Sequence, residues 1–222
     1  MYQLLSYPIK EGEPTWPGNP TFSLKPHTSI AGGDTANTCT IRLFNHYGTH
    51  LDGPMHFYGK GISLDKLPME RFFFHKPLLI DVPKGPGEKI MPEDIIPYET
   101  DMAHADLLLM RTGFWQYRRV RPDAYESRGP AVSSSAARYL QDSQSHLKAV
   151  ALDFVSLASY SDRTDGDLAH QIMLGMYHEH FICIIEDVNM EGLPSGFMKK
   201  AAAIPLIIEG IDSSPVTMWA EY

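Results

Sequence analysis

The chain has 222 residues, with 19 Lys and Arg against 27 Asp and Glu, and a formal net charge of −8. Its 43% hydrophobic and 21% charged residues are typical of a globular protein and exclude a disordered or fibrous chain. Nucleic acids and anionic membranes both require a basic face. The one basic cluster, residues 111–121, is short and is predicted to be a solvated surface segment. We therefore expect no nucleic-acid partner and no membrane partner.

Short apolar runs recur along the chain and alternate with helical patterns in its second half. An alternating pattern predicts a strand over residues 38–46. Further strands are predicted over residues 78–82, 107–110, 150–154, 181–185 and 204–208. Helical spacing predicts helices over residues 133–147 and 167–177, the first with serines that can cap its start. The pattern indicates one α/β domain over residues 1–222, with β/β/α layers and a mixed sheet.

The two cysteines, Cys39 and Cys183, have no C-x-x-C partners and lie in apolar runs, so both are predicted to be buried free thiols. The first residues lack the basic and apolar regions of a signal peptide. No apolar stretch approaches the roughly 18 residues that span a membrane. The expected location is the cytoplasm.

The most informative segment is H-Y-G-T-H-L-D-G-P-M-H-F, residues 46–57. Its potential metal ligands are His46, His50, Asp52 and His56. Imidazoles and carboxylates suit zinc, manganese or iron. In an extended chain His46 and Asp52 would lie roughly 20 Å apart, whereas ligand atoms must converge on one ion. The chain is therefore predicted to curl, and Gly48 and the Gly53–Pro54 pair are the residues that permit it.

This segment matches the H-x-G-T-H-x-D-x-P-x-H-F signature of the metal-dependent cyclase-like hydrolases, a family that includes bacterial kynurenine formamidase and isatin hydrolase. Other parts of the chain also resemble that family. W-P-G-N-P at residues 16–20 resembles its aromatic-Pro-Gly turn, and R-T-G-F at residues 111–114 resembles one of its strand-end turns. A-H-Q-I-M-L-G at residues 169–175 and I-I-E-D-V-N-M at residues 184–190 resemble two further elements of the family.

The resemblance implies a site for two divalent metal ions per chain, zinc or manganese. His46, His50 and Asp52 would bind the first ion. Asp52 would bridge to the second ion, which His170 would also bind, and Glu186 would contact both ions.

The resemblance also implies catalytic roles for Glu186 and for His56, which would act as a general acid and base rather than as a ligand. Trp16 would line the substrate pocket. Metal ions lower the pKa of bound water and polarise a carbonyl group, and an imidazole can protonate the leaving amine. No G-x-S-x-G motif is present, so a serine hydrolase triad has no support.

These features predict a hydrolase of a small-molecule aryl amide, similar to arylformamidase or kynurenine formamidase, acting on C–N bonds other than peptide bonds. The alternatives are a hydrolase of isatin or of another lactam or lactone, and a non-catalytic metal-binding protein of the same fold. A metal-dependent oxygenase with a 2-His-1-carboxylate triad is a further alternative. The family resemblance also leads us to expect a homo-oligomer, a dimer or tetramer.

One segment departs from the formamidase pattern. Residues 176–180, M-Y-H-E-H, lengthen the connection between His170 and Glu186. They are predicted to extend a surface turn, although they could instead bring His178, Glu179 or His180 to the rim of the site.

Overall fold

The centre of the fold is a ten-stranded mixed sheet, in a computed structural model that describes residues 1–222. The strands are β1 (Tyr2–Leu4), β2 (Ser23–Thr28), β3 (Thr38–Arg42), β4 (His50–Asp52), β5 (Phe73–Phe74), β6 (Pro77–Asp81), β7 (Lys89–Ile90), β8 (Leu107–Arg111), β9 (Ala131–Val132), β10 (Ala149–Leu152), β11 (Cys183–Glu186), β12 (Gly196–Phe197), β13 (Lys200–Pro205) and β14 (Ser213–Glu221). The α-helices are α1 (Pro92–Ile95), α2 (Glu99–Met102), α3 (Trp115–Val120), α4 (Pro122–Ser127), α5 (Ser134–Ser143) and α6 (Arg163–Met173). Short 3₁₀ turns cover Ile30–Gly32, Pro54–His56, Leu64–Lys66, Met69–Phe72 and Ile96–Tyr98.

The main sheet has the order β12-β6-β8-β10-β11-β4-β14-β13-β5, and β1 pairs with β14. Strands β6, β8, β10 and β11 are parallel, whereas β4 is antiparallel to both of its neighbours, β11 and β14. Two small sheets, β2–β3 and β7–β9, lie outside it. The mixed sheet is therefore as the sequence predicted.

The parallel strands are buried on both faces. In β8, Leu108 and Met110 belong to a core cluster with Leu140 of α5 and Ile172 of α6. Leu107 and Leu109, on the other face of β8, belong to a second cluster with residues of β13 and β14. Because successive side chains of a strand point to opposite faces, the strands separate a helical layer from a second β layer. This order of layers confirms the predicted β/β/α fold class.

Both predicted long helices are present with shifted ends. Helix α5 begins after Ser133, whose side chain accepts a hydrogen bond from the Ala136 N–H at 3.1 Å, so the predicted serine cap is confirmed. Helix α6 begins four residues earlier than predicted, because the side chain of Asp162 caps it ahead of the apolar residues. It ends before Gly175, whose φ of +85° is left-handed. No helix of the chain combines the length and the apolar character that crossing a bilayer requires.

Two predicted strands are wrong at their C-terminal ends. Strand β13 ends at Pro205, and the three apolar residues after it, 206–208, are each about half exposed in a loop. Strand β3 ends at Arg42, so His46 lies outside it. The sequence predicted neither β4 nor the long β14. The polar residues of β4 and the start of β14 lack the apolar run by which the other strands were found.

The prediction of a solvated basic segment is wrong for Arg118. Its guanidinium is buried and donates to both carboxylate oxygens of Asp187, at 2.9 and 3.0 Å. It also pairs with Glu13 and lies 3.9 Å from the centre of the Tyr7 ring. A buried charge requires such partners, and these are distant in sequence.

The prediction of a buried free thiol is confirmed for Cys183 and wrong for Cys39, which is exposed.

Candidate metal centre

Six candidate side chains converge beside the C-terminal end of β11. They are His46 before β4, His50 and Asp52 in β4, His56 in the turn after it, His170 in α6 and Glu186 at the end of β11. The pairing of β4 with β11 places His50 directly opposite Glu186 and Asp52 opposite Ile184. The register of these two strands therefore brings the segment 46–57 to the downstream glutamate.

The predicted curl of this segment is present, and two glycines make it. Gly48 has a φ of +68°, a conformation that other residues rarely adopt, and it turns the chain between His46 and His50. The two imidazole centroids are 5.0 Å apart. A Cβ at Gly53 would lie 2.5 Å from the Leu64 side chain and 3.0 Å from the Asp212 carbonyl oxygen, so a larger residue would displace Leu64 where the chain leaves β4.

The donor atoms are spaced as ligands of common ions are. His46 Nδ1 lies 3.2 Å and His50 Nε2 lies 3.6 Å from Asp52 Oδ1. Glu186 Oε2 lies 3.3 Å from His50 Nε2, and Glu186 Oε1 lies 3.5 Å from His170 Nε2. Two atoms each about 2.1 Å from a tetrahedral ion are about 3.4 Å apart. Asp52 belongs to two groups of candidate ligands, one with His46 and His56 and one with His50 and Glu186.

The unpaired atoms of the cluster also fit a metal. His50 Nε2 and Asp52 Oδ1 are buried and have no hydrogen-bond partner in the chain, which is costly for polar atoms unless something binds them. The Nδ1 atoms of His50 and His170 each lie 2.8 Å from a backbone oxygen, of Gly48 and Gly166 respectively. Such a bond fixes the imidazole tautomer and leaves Nε2 free to bind a metal ion.

The electrostatics of the cluster favour cations. Burial alone would raise the pKa of Asp52 and of Glu186. The neighbouring histidines outweigh burial and hold the pKa of Asp52 well below its usual range, and they lower that of Glu186 to about 2. Burial alone would lower the pKa of His46, but Asp52 and Asp212 raise it to about 10. Both carboxylates are therefore ionised at neutral pH, and a metal that binds His46 must displace a proton.

Asp212 is a residue of this site that the sequence did not reveal. Its Oδ2 lies 3.0 Å from His56 Nδ1 and 3.4 Å from His46 Nε2, and its Oδ1 accepts a hydrogen bond from Asn45 at 2.9 Å. It immediately precedes β14, whose pairing with β4 places it beside Gly53. Neither a motif nor a neighbouring histidine marks it in the sequence.

A cavity of about 530 Å³ opens over the cluster. Trp16, Phe44 and Phe57 line it. The Phe57 ring stacks on the His170 imidazole, with centroids 4.4 Å apart and planes at 18°. The site therefore combines a floor of potential ligands with aromatic walls.

A family model described as "Putative cyclase" matches residues 4–159, which is more than half of the chain. The chain belongs to this cyclase family. An uncharacterised protein of Haemophilus influenzae is 39% identical over 113 residues, which cover 51% of this chain and 80% of that protein.

Solved structures share the fold of this cyclase family member over nearly its whole length. Isatin hydrolase A from Labrenzia aggregata, bound to benzyl benzoate, superposes with a TM-score of 0.82 at 20% identity, covering 99% of this chain and 93% of that one. A potential metal-dependent hydrolase with cyclase activity superposes with a TM-score of 0.73 at 23% identity, covering 99% and 96%. At these identities the likeness establishes the fold.

The segment 176–180, which departs from the formamidase pattern, lies away from the cavity. His180 Nε2 lies 2.9 Å from the backbone oxygen of Gln141 in α5, and the Gln141 side chain donates to the His180 carbonyl at 3.2 Å. None of His178, Glu179 and His180 lines the cavity. Of the two alternatives, the extended surface turn is the one that the structure has.

Proposed function

We propose that this cyclase family member is a metal-dependent hydrolase that cleaves a small aryl amide, with an aryl formamide as the favoured substrate. The observation that carries the proposal is the pair of ligand groups that share Asp52 on the floor of an aromatic cavity. The fold that the chain shares with an isatin hydrolase and with a potential metal-dependent hydrolase supports the same reaction class.

The proposed ligand sets are those that the family resemblance implies, and the distances between neighbouring donor atoms are compatible with them. His46, His50 and Asp52 would hold one divalent ion, and Asp52, His170 and Glu186 would hold a second, with Glu186 in reach of both. Zinc and manganese both suit these donors. Such ions supply an activated water and polarise the substrate carbonyl.

His56 is proposed to carry the proton to the leaving amine. Asp212 Oδ2 lies 3.0 Å from His56 Nδ1 and holds the imidazole ring in one orientation. The second ring nitrogen, Nε2, is therefore available to the substrate. The His56 side chain is 24% exposed, so protons can exchange with solvent. Asp212 acts here as a positioning residue for the imidazole.

Glu186 is proposed to orient the reacting water as well as to bind metal. Its Oε1 accepts hydrogen bonds from the Leu157 N–H at 2.6 Å and from the Ser156 hydroxyl at 3.2 Å. These bonds hold the carboxylate plane, so that Oε2 faces His50. A fixed second carboxylate distinguishes this arrangement from a lone 2-His-1-carboxylate triad, which would use His46, His50 and Asp52 alone.

The walls of the cavity favour a flat aryl group. Trp16 and Phe57 present aromatic surface beside the ligand cluster, where a substrate ring can stack while its carbonyl faces the floor. Hydrolysis of isatin or of another lactam or lactone is the second candidate, which the shared fold of isatin hydrolase A favours.

Absorbance assays of metal-loaded protein with N-formylkynurenine and with isatin test the substrate. We expect turnover of the formamide that disappears on chelation and returns with zinc or manganese. Turnover of isatin alone would reject the formamidase reaction. A protein that binds both ions and hydrolyses neither compound, nor other small amides and lactones, would be the non-catalytic metal-binding alternative.

We also propose that the chain self-associates through the β2–β3 hairpin. Leu24 and Ile41 are cross-strand partners, and Pro26 and Cys39 extend the same face. Leu24 is 50% and Ile41 59% exposed, so an apolar face of this two-stranded sheet is unpaired. Isolated hairpins are marginally stable in water, and a second copy of the chain would bury this face.

Light scattering after size-exclusion chromatography tests the self-association. We expect a dimer or tetramer for the wild type, and a monomer for a Leu24→Ser, Ile41→Ser double variant. Ile207→Ser is the matched control, because Ile207 is a similarly exposed apolar residue, at 55%, and lies in the loop after β13 rather than in the hairpin. A monomeric wild type, or a double variant of unchanged mass, would reject the hairpin interface.

A further inference from the structure

Arg163 is the one lysine or arginine that lines the cavity. It begins α6, two helical turns before His170, and both residues line the cavity from that helix. At 1.5 Å per residue, the seven-residue separation places their Cα atoms about 10 Å apart along the helix axis. The cavity thus has one cationic side chain, carried two helical turns away from His170 of the ligand cluster.

Two aromatic rings hold the Arg163 guanidinium. Its central carbon lies 4.6 Å from the Tyr160 ring centroid and 5.7 Å from the Trp16 ring centroid. The Trp16 and Tyr160 rings meet edge to face, 5.5 Å apart. Stacking of this kind orients a guanidinium without using its N–H donors.

The donors of Arg163 remain free within the chain. Arg118, by contrast, is paired with Asp187. Arg163 forms no ion pair, although Asp167 lies one turn further along α6 and lines the same cavity. A guanidinium that is held by rings and keeps its fork of donors free is suited to a carboxylate.

The charges of the cavity determine where an anionic group can lie. The floor of the cavity carries the carboxylates of Glu186 and Asp212, and the Asp52 carboxylate lies beside it against His46 and His50. Without bound cations these carboxylates repel a substrate carboxylate. With bound cations, the same position is taken by the amide group that reacts. The part of the cavity beside Arg163 is therefore the favourable position for a second, anionic group of the substrate.

We infer that Arg163 forms an anion subsite, which binds a carboxylate on a side chain of the aryl substrate while the amide carbonyl lies over the ligand cluster. The inference rests on the proposed function for the identity of the reacting group. The separation of about 10 Å along α6 between the Cα atoms of Arg163 and His170 is comparable to the length of one aromatic ring with a short side chain. Arg163 is thereby a specificity-determining residue.

Kinetics with matched substrates test the subsite. One formanilide carries an ortho propanoate side chain, and the other carries a propanol side chain in its place. Arg163→Gln should lower kcat/KM for the propanoate at least fivefold, through KM, and leave the propanol compound within twofold. Arg119→Gln is the control, because it removes the same charge from an exposed position outside the cavity.

Calorimetry separates failure of the subsite from failure of the proposed function. Metal-loaded wild type and Arg163→Gln are titrated with 4-phenylbutanoate and with 4-phenylbutanol, neither of which has an amide to cleave. We expect the substitution to weaken only the carboxylate, by at least fivefold. If the wild type cleaves neither formanilide, the arylformamidase reaction fails and this titration alone decides the subsite. Equal weakening of both ligands, or of neither, would overturn the anion subsite.

Discussion

Asp52→Ala should lose its bound metal and its activity together. The Asp52 carboxylate is proposed to bridge the two ions, and its Oδ1 lies 3.2 Å from His46 Nδ1 and 3.6 Å from His50 Nε2. Without the metal, water keeps its pKa near 15.7 rather than about 7, so we expect turnover to fall roughly 10³-fold or more. Plasma mass spectrometry of the purified variant, beside an amidase assay, measures both effects.

The control for this experiment is Asp101→Ala, because Asp101 is exposed on α2 and remote from the cavity. Asp52 is buried, and its removal also takes one carboxylate neighbour from each of three histidines. Circular dichroism and the conservative Asp52→Asn variant separate loss of ligand from loss of fold. A folded Asp52→Ala protein that retains two ions per chain would disprove the bridging role.

His56→Ala should retain its metal and lose roughly 10²-fold or more in turnover, the usual range for a general acid or base. The imidazole is held by Asp212 on one side and faces the cavity on the other. Metal content, kcat and chemical rescue by added imidazole are the measurements. Rescue is expected because a small imidazole can occupy the space that the side chain leaves.

The geometry also permits the opposite result. His46, Asp52 and His56 lie close enough together to hold an ion, and the His46 and His56 rings have centroids 4.2 Å apart. A His56→Ala protein that loses an ion would make His56 a ligand. His27→Ala, on the exposed hairpin, is the matched histidine control and should change neither quantity.

Four residues of the site could be predicted because they lie in one short stretch of the sequence. His46, His50, Asp52 and His56 fall within a single turn-rich segment, and the glycines that curl it are visible there. His170 and Glu186 came from the family resemblance; the pairing of β4 with β11 brings Glu186 to that segment, and helix α6 carries His170. Local spacing alone would not have found them.

Other parts of the structure depend on contacts between distant residues. Asp212 reaches His56 across 156 residues, through a strand that the sequence pattern did not reveal. Arg118 is buried because Asp187 and Glu13 neutralise it, and neither is its neighbour in sequence. Hydrophobic periodicity reports which face of an element is buried, but not which polar side chains from other elements meet there.

Errors in the ends of elements have a similar cause. The apolar residues after Pro205 resemble the end of a buried strand, yet they lie exposed in a loop. Helix α6 starts where the Asp162 side chain caps it, before the first apolar residue of the periodic pattern. In both places backbone hydrogen bonding, rather than hydrophobic spacing, determines where the element begins or ends.

The central claim, a two-metal hydrolytic site, is tested most directly by counting metal ions in the wild-type protein. Protein saturated with zinc or manganese and then freed of excess metal should contain two divalent ions per chain by plasma mass spectrometry. A stoichiometry of one ion would reduce the site to His46, His50 and Asp52 and favour the single-metal alternative, and either one ion or none would contradict the account.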